Sequence, residues 1–212
     1  MDNNEFSTTF CINGCRLFND EGNFSYWENK KTTSDEISVL SFLDSNMEIN
    51  KNKILHVGIG NSFLAENIKN YNLFDGLTIS QSEINHANKK KIKNYNVLFQ
   101  NKFSKDNVIG KQFNNYDIII DVNLKSFSCC NIAFNNLFKL YTKSLNIGGI
   151  IITGKKGMNW SRQVIPKWGF SFKNLFYKRL KEFDGPESNK LCDKDCFLLA
   201  EKHNLEFNNL NK

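Results

Sequence analysis

Two spacings of apolar residues alternate along the chain from residue 34 onward. Ser34 reads as the N-cap of a helix over "DEISVLSFLDS", where Ile37, Leu40, Phe42 and Leu43 fall mostly on one face. Asp35 and Glu36 suit the positive end of that helix dipole. After the polar break "NMEINKNK", the apolar run at residues 54–57 has the length and bounding turn of a buried parallel strand. Residues 63–68 begin a helix, "DGLTIS" is a second strand, residues 81–93 form a basic, polar-faced helix, "NVLFQ" is a third strand and "YDIIID" a fourth. "CCNIAFNNLFKLYTKSL" returns to helical spacing, residues 146–149 make a turn, and "GIIIT" is a fifth strand. A helical or irregular stretch is expected at 160–172, followed by two strand-like segments, "LFYKRLKEF" and "DCFLLAEKH", joined through Gly185 and Pro186. Strands joined by helical crossovers predict an α/β fold: a doubly wound, mostly parallel sheet with helices on both faces.

Residues 1–33 lack any sustained period and are read as an N-terminal arm. Its aromatics Tyr26 and Trp27, set among charges in "FSYWENKKTT", either pack on the sheet edge or close over a site as a lid. Nothing reads as a linker or a repeat, so residues 34–212 are expected to be a single domain. With 212 residues, 40% of them hydrophobic, the chain is long enough to bury one sheet. No segment approaches the ~18 consecutive apolar residues of a membrane span. The start "MDNNEFSTTF" lacks the charged and apolar regions of a signal peptide, which leads us to expect a cytoplasmic protein that does not enter a membrane.

The net charge of +6 raises nucleic acid as a partner, but the positive charge is nearly all Lys, with Arg only at Arg16, Arg162 and Arg179. Lys lacks the planar fork that reads bases or clamps phosphate, so a nucleic-acid partner is not expected. The six cysteines form two CxxxC pairs, Cys11/Cys15 and Cys192/Cys196, and the adjacent Cys129/Cys130. Zinc pairs usually read CxxC, so no metal is expected, and the thiols are read as reduced, buried packing groups.

Gly58-Ile59-Gly60-Asn61-Ser62 follows the first strand, and glycines at such a corner let backbone approach a ligand closely. A P-loop would end Gly-Lys-Ser/Thr, where this chain has Asn61, Ser62 and Phe63. A dinucleotide fold wants a third glycine where Phe63 stands and an acid ending the second strand, which here finishes Leu-Thr-Ile-Ser. ATP by that route and NAD are both excluded.

The remaining pattern, G-x-G-x-S followed by "YDIIID" and "LNIGGIIIT", resembles the class I S-adenosylmethionine-dependent methyltransferases over about residues 54–203. "GLTISQSEINHAN" is similar to the Gly-Ile-Thr-x-Ser-x-Glu/Gln loop of the cyclopropane-synthase and small-molecule branch. The resemblance implies a seven-stranded sheet whose terminal pair supplies one antiparallel strand. It implies S-adenosylmethionine as cofactor, with S-adenosylhomocysteine as product. Its cofactor positions map onto His56, Gly58, Gly60, Asn61, Ser62, Thr78, Ser80, Gln81, Glu83, Asn101 and Asp121. Two departures stand out. The acid two residues before the first glycine is His56 here, and the acid that ends the second strand is missing, leaving Thr78 and Ser80 with Glu83 within reach. Hydroxyls can replace that carboxylate only with loss of a charge-assisted hydrogen bond.

Methyl transfer needs alignment more than covalent help, so few catalytic groups are required. By resemblance the acceptor meets the methyl group beyond the fourth and fifth strands. Asp121, Asn123 and Lys125 are the catalytic candidates, against the plainer readings of a helix cap and a polar turn. Ser126, Lys155, Lys156 and Trp160, with Tyr26 and Trp27 from the arm, are candidates for holding substrate; lysines in a surface loop and a core Trp are the plainer alternatives. His56 is read as a hydrogen-bonded neighbour of the cofactor rather than a base, His86 as exposed, and His203 is given no role. The expected function is S-adenosylmethionine-dependent O- or N-methyl transfer to a small molecule or a glycan sugar. The alternatives are an RNA or DNA methyltransferase, whose Asn/Asp-Pro-Pro-Tyr/Phe signature "DVNLKSF" lacks, and a methyltransferase-like binding domain without chemistry. Oligomeric state leaves no pattern in the sequence.

Overall fold

The computed structural model describes residue 27 and residues 30–104, 115–122, 131–154, 170–175 and 197–202. In chain order these form α1 (Ser34–Asn46), β1 (Lys53–Val57), α2 (Phe63–Asn67), β2 (Leu73–Thr78), α3 (Gln81–Lys90), β3 (Tyr95–Phe99), β4 (Tyr116–Asp121), α4 (Asn131–Ser144), β5 (Leu145–Gly154), β6 (Phe170–Leu175) and β7 (Phe197–Lys202). The sheet order is β3-β2-β1-β4-β5-β7-β6. The strands from β3 to β5 are parallel, and β7 runs antiparallel to β5 and β6. β1 therefore lies between β2 and β4, where the winding changes direction, and an open α/β sheet has its ligand crevice at the carboxyl ends flanking that point.

The central strands are apolar because both their faces are covered. On one face Ile54, Phe74, Ile118, Ile120 and Ile152 pack with Val39, Phe42 and Leu43 of α1 and with Leu64, Ala65 and Ile68 at α2. Alternation sends Leu55, Leu77, Ile119 and Asp121 to the other face. There the Tyr141 hydroxyl of α4 donates to Asp121, and Leu137, Leu140 and Tyr141 are buried. Another carboxylate inside the sheet is Asp75, fully buried on β2, which accepts from Asn96 Nδ2 at 3.1 Å and from Tyr116 Oη at 2.7 Å.

Four local expectations need correction. The N-cap of α1 is Thr33, not Ser34: Thr33 and Glu36 close a reciprocal capping box, which satisfies two backbone donors at once. α3 stops at Lys90, three residues short of the expected end, because Lys91 turns left-handed at φ +50°. The expected turn at 146–149 lies inside β5 as a bulge. Tyr116 pairs with Leu145 and Ile118 with Ile150, so the extra β5 residues loop outward through Gly148 at φ +78°. Asn146 pins the bulge by donating to Asp117 at 2.8 Å, and Asp117 also accepts from the Lys53 amide at 2.8 Å. Finally, residues 170–172, expected helical or irregular, open the strand Phe170–Leu175, because β7 offers it a pairing partner over its whole length. Residues 176–183, also expected as strand, lie outside the described residues. Among the described residues no helix is long and apolar enough to cross a membrane.

Gly76 in β2 lets the corner after β1 fold down onto the sheet. A Cβ there would meet Ile59 Cγ2 at 2.5 Å and Tyr95 Oη at 2.9 Å. Gly76→Ala is expected to lower stability by about 1–3 kcal/mol, the usual cost of overpacking. Urea denaturation checks this, and an unchanged midpoint would show that the corner moves aside freely.

Candidate functional site

Three left-handed residues shape the chain after β1: Gly58 at φ +80°, Gly60 at φ +52° and Ser62 at φ +67°. The Gly58 amide bonds the Leu77 carbonyl at 2.8 Å, tying the corner to β2. Ser62 is a non-glycine in strained territory. Its hydroxyl lies 3.0 Å from Tyr95 Oη and its amide donates to the Ile59 carbonyl at 2.8 Å, which hold it there. Gly60 is constrained twice, because a Cβ on it would also lie 2.5 Å from Cζ2 of Trp27. The indole of Trp27 thus lies flat against the corner.

Glu83, in the first turn of α3, lies beside the end of β2. Its carboxylate accepts from Thr78 Oγ1 at 2.5 Å, from the Trp27 side chain and from the Gly60 backbone amide. Burial pushes its pKa up; these hydrogen bonds oppose the rise and the charge of Glu36 adds to it. Thr78 Oγ1 in turn accepts from the Ser80 amide at 3.0 Å, and Ser80 caps α3 through the Glu83 amide at 3.3 Å. Asn61 is buried; its Nδ2 donates to the Lys30 carbonyl at 3.0 Å, while its Oδ1 has no partner among the described residues.

A second buried group lies at the end of β4. Asp121, with no solvent exposure, accepts on Oδ2 from Lys102 Nζ at 2.6 Å and from the Tyr141 hydroxyl. Burial, then the Asp121 charge, raise the Tyr141 pKa far above its ordinary value. His56, buried near this group, has its pKa lowered to about 4 by burial, with the Asp121 charge pulling the other way. Its Nδ1 has no partner among the described residues. Asn101 is buried and shapes the turn after β3, its Oδ1 accepting from the Phe103 amide at 2.9 Å.

The structure therefore brings Trp27, Gly58, Gly60, Asn61, Ser62, Thr78, Ser80 and Glu83 to one corner, and places His56, Asn101 and Asp121 along the same carboxyl edge of the sheet. Gln81 is not brought in; it is exposed and donates to Asn85 on its own helix. His86, expected exposed, is half-buried. Tyr26, Asn123, Lys125, Ser126, Lys155, Lys156, Trp160 and His203 lie outside the described residues. Sequence reasoning missed Lys102 and Tyr141, the partners of Asp121; no local spacing announces either, because both contacts are tertiary. It also missed the burial of Glu36, read as a dipole partner on a helix end, although the Thr-x-x-Glu signature at Thr33 was present to be read. Among the described residues no cluster of His, Cys, Asp or Glu could hold a metal ion.

No family model and no curated protein matches the sequence. Solved structures match the fold. A chain from the complex between the Haloferax volcanii Trm112 methyltransferase activator and a candidate methyltransferase is 9% identical, over 86% of this chain and 95% of that one, with a TM-score of 0.60. N-methyltransferase NodS from Bradyrhizobium japonicum WM9, in complex with S-adenosylhomocysteine, is 12% identical, over 86% of this chain and 98% of that one, with a TM-score of 0.56. The [4+2]-cyclase SpnF is 15% identical, over 84% of this chain and 85% of that one, with a TM-score of 0.52. The chain has the class I methyltransferase fold, a fold that also carries a cyclase.

Two outcomes follow from the β4 group. Lys102→Met leaves Asp121 buried without its cation and is expected to cost about 3–5 kcal/mol, part of which the added change Asp121→Asn restores. Denaturant titration of the single and double variants measures both; equal stability of Lys102→Met and parent would dismiss the pair as a stability element. The folded chain keeps His56 neutral down to about pH 4, whereas the unfolded chain takes up the proton near 6.5. Its contribution is whole above pH 6.5 and is lost as pH falls toward 4. His56→Gln is expected to flatten the stability profile in that window by up to about 1.4 kcal/mol per pH unit, read from thermal melts.

Proposed function

We propose that the protein is an S-adenosylmethionine-dependent methyltransferase acting on a small molecule or a glycan sugar. The observation that carries this reading is the corner at the switch point of the sheet, where left-handed glycines, the Glu83 carboxylate that accepts from the Gly60 amide and the neighbouring Asn61 with its bare Oδ1 come together. The residues fit the cofactor: Gly58 and Gly60 admit its amino-acid end, and Glu83 with Thr78 accepts the ribose hydroxyls in place of the absent strand-end acid. The fold match, including a neighbour in complex with S-adenosylhomocysteine, supports it. In this reading residues 34–212 are one cytoplasmic domain, the arm at 1–33 is its lid, and the reversed pair β6 and β7 completes a seven-stranded methyltransferase sheet.

The cofactor supplies a methyl group on a sulfonium, which a nucleophile takes while the bonding pair returns to sulfur. The chain's part is to align the two reactants and exclude water. Trp27, stacked on Gly60, walls the corner. Asp121 is engaged by Lys102 and Tyr141 and orders the edge beside the reacting centre. His56, with a pKa of about 4, is a weak base. An acceptor that is nucleophilic in itself, or that loses its proton late, suits such a site.

A second reading, a ligand-binding domain without methyl transfer, is favoured by the loss of both usual acids at His56 and after β2. Calorimetric titration with S-adenosylmethionine and S-adenosylhomocysteine, followed by transfer of labelled methyl to a panel of sugars and small hydroxy and amino compounds, separates the two. Binding abolished by Gly58→Val, whose side chain opposes φ +80°, is expected. Absence of binding by the folded protein would falsify the methyltransferase reading, and binding without transfer would favour the second.

A further inference from the structure

Glu36 is buried beyond anything its capping role requires. Its Oε2 accepts from Thr32 Oγ1 at 2.9 Å, from the Thr33 amide at 2.9 Å and from Thr33 Oγ1 at 3.3 Å, which completes the capping box of α1. A capping glutamate does this equally well in water. Here the residue is only 3% exposed, and its second oxygen, Oε1, is buried with no partner among the described residues. A bare carboxylate oxygen out of water costs stability unless a donor meets it.

The surroundings of Glu36 belong to the glycine corner. The Lys30 carbonyl, six residues before it, receives Asn61 Nδ2 at 3.0 Å, so the segment entering α1 runs along the corner. The charge of Glu36 bears on Glu83, which holds the Gly60 amide, and on Tyr95, which bonds Ser62. Asn61, which that hydrogen bond ties to the same segment, carries a second bare acceptor, Oδ1, on a residue 6% exposed. Two buried acceptors, one of them a carboxylate whose pKa burial raises against the pull of its threonine hydrogen bonds and the Lys30 charge, match a ligand group that carries several N–H donors and a positive charge.

Resting on the methyltransferase reading, we propose that Glu36 Oε1 and Asn61 Oδ1 seat the primary ammonium at the amino-acid end of S-adenosylmethionine. Glu36 belongs to α1 and supplies a carboxylate to this seat. The pair thereby selects ligands that retain an amino-acid end.

Calorimetry with S-adenosylhomocysteine and with 5′-methylthioadenosine, which lacks the amino-acid end, tests the assignment on the full chain. Glu36→Gln removes the charge and keeps a capping-box side chain, so α1 is retained. It is expected to weaken S-adenosylhomocysteine about tenfold or more, the weight of a charge-assisted hydrogen bond, while methylthioadenosine binding stays within about twofold. Equal loss for both ligands, or loss for neither, overturns the ammonium seat and leaves the methyltransferase reading standing. Failure of the parent protein to bind either ligand overturns both. The parent also gives a test that needs no variant: N-acetylated S-adenosylhomocysteine is expected to bind no better than methylthioadenosine, and tight binding of the acetylated ligand overturns the seat.

Discussion

The Glu83 carboxylate accepts from Thr78 at the end of β2, from the Gly60 amide in the corner after β1 and from Trp27 in the arm. The arrangement of the carboxyl edge depends on it. Without that acceptor the Gly60 amide and the Trp27 side chain would each lose a partner in a half-buried place, where an unmet donor is costly. The corner is left-handed at Gly58, Gly60 and Ser62, a conformation that persists only when its surroundings determine it. Gly76 beneath Ile59 and Tyr95 beside Ser62 complete that determination from the sheet side.

Four carboxylates lie around the central strands, three buried and Glu83 half-buried, and each is met differently. Asp75 is met by neutral donors from β3 and β4, which ties strands on either side of β1 together. Asp121 has a cation and a phenol, so its charge is balanced inside the protein. Glu83 has three donors from three separate parts of the chain. Glu36 alone of the four has an oxygen with no partner among the described residues. Fully satisfied buried networks stiffen a structure, whereas an acceptor left bare carries a cost that a donor on a ligand would relieve. This contrast, rather than the presence of acids at the edge, distinguishes Glu36 from the other three.

Much of the architecture was legible because apolar runs at 54–57 and 116–121 have no other use in a chain this size, and because Gly-x-Gly after a strand has few physical meanings. The misses share a cause. Thr33 was passed over for Ser34 because both are good caps, and only the reciprocal bond with Glu36 decides between them. The segment 146–149 has the composition of a turn, and pairing with β4 on both sides of it makes it a bulge. Phe170–Leu175 has weak local preference and is strand because β7 lies beside it. Lys102 and Tyr141 meet Asp121 across sequence gaps that no period spans, so the environment of this residue was the least readable part of the site.

Counting lone pairs on Glu83 shows what a ligand at this corner must do. A carboxylate offers about four acceptor sites, and three donors already use it. On the methyltransferase reading a ribose diol brings two more, one beyond that capacity, so a present donor gives way. Thr78 is fixed at the end of a paired strand and Gly60 by the corner's backbone, whereas Trp27 belongs to the arm that covers the glycine surface a ligand would share. Yielding the Trp27 contact exchanges one hydrogen bond for two and uncovers Gly60 in the same movement. On that reading Trp27 is coupled to the site through the carboxylate on which the corner depends, and cofactor affinity would include the work of displacing an indole.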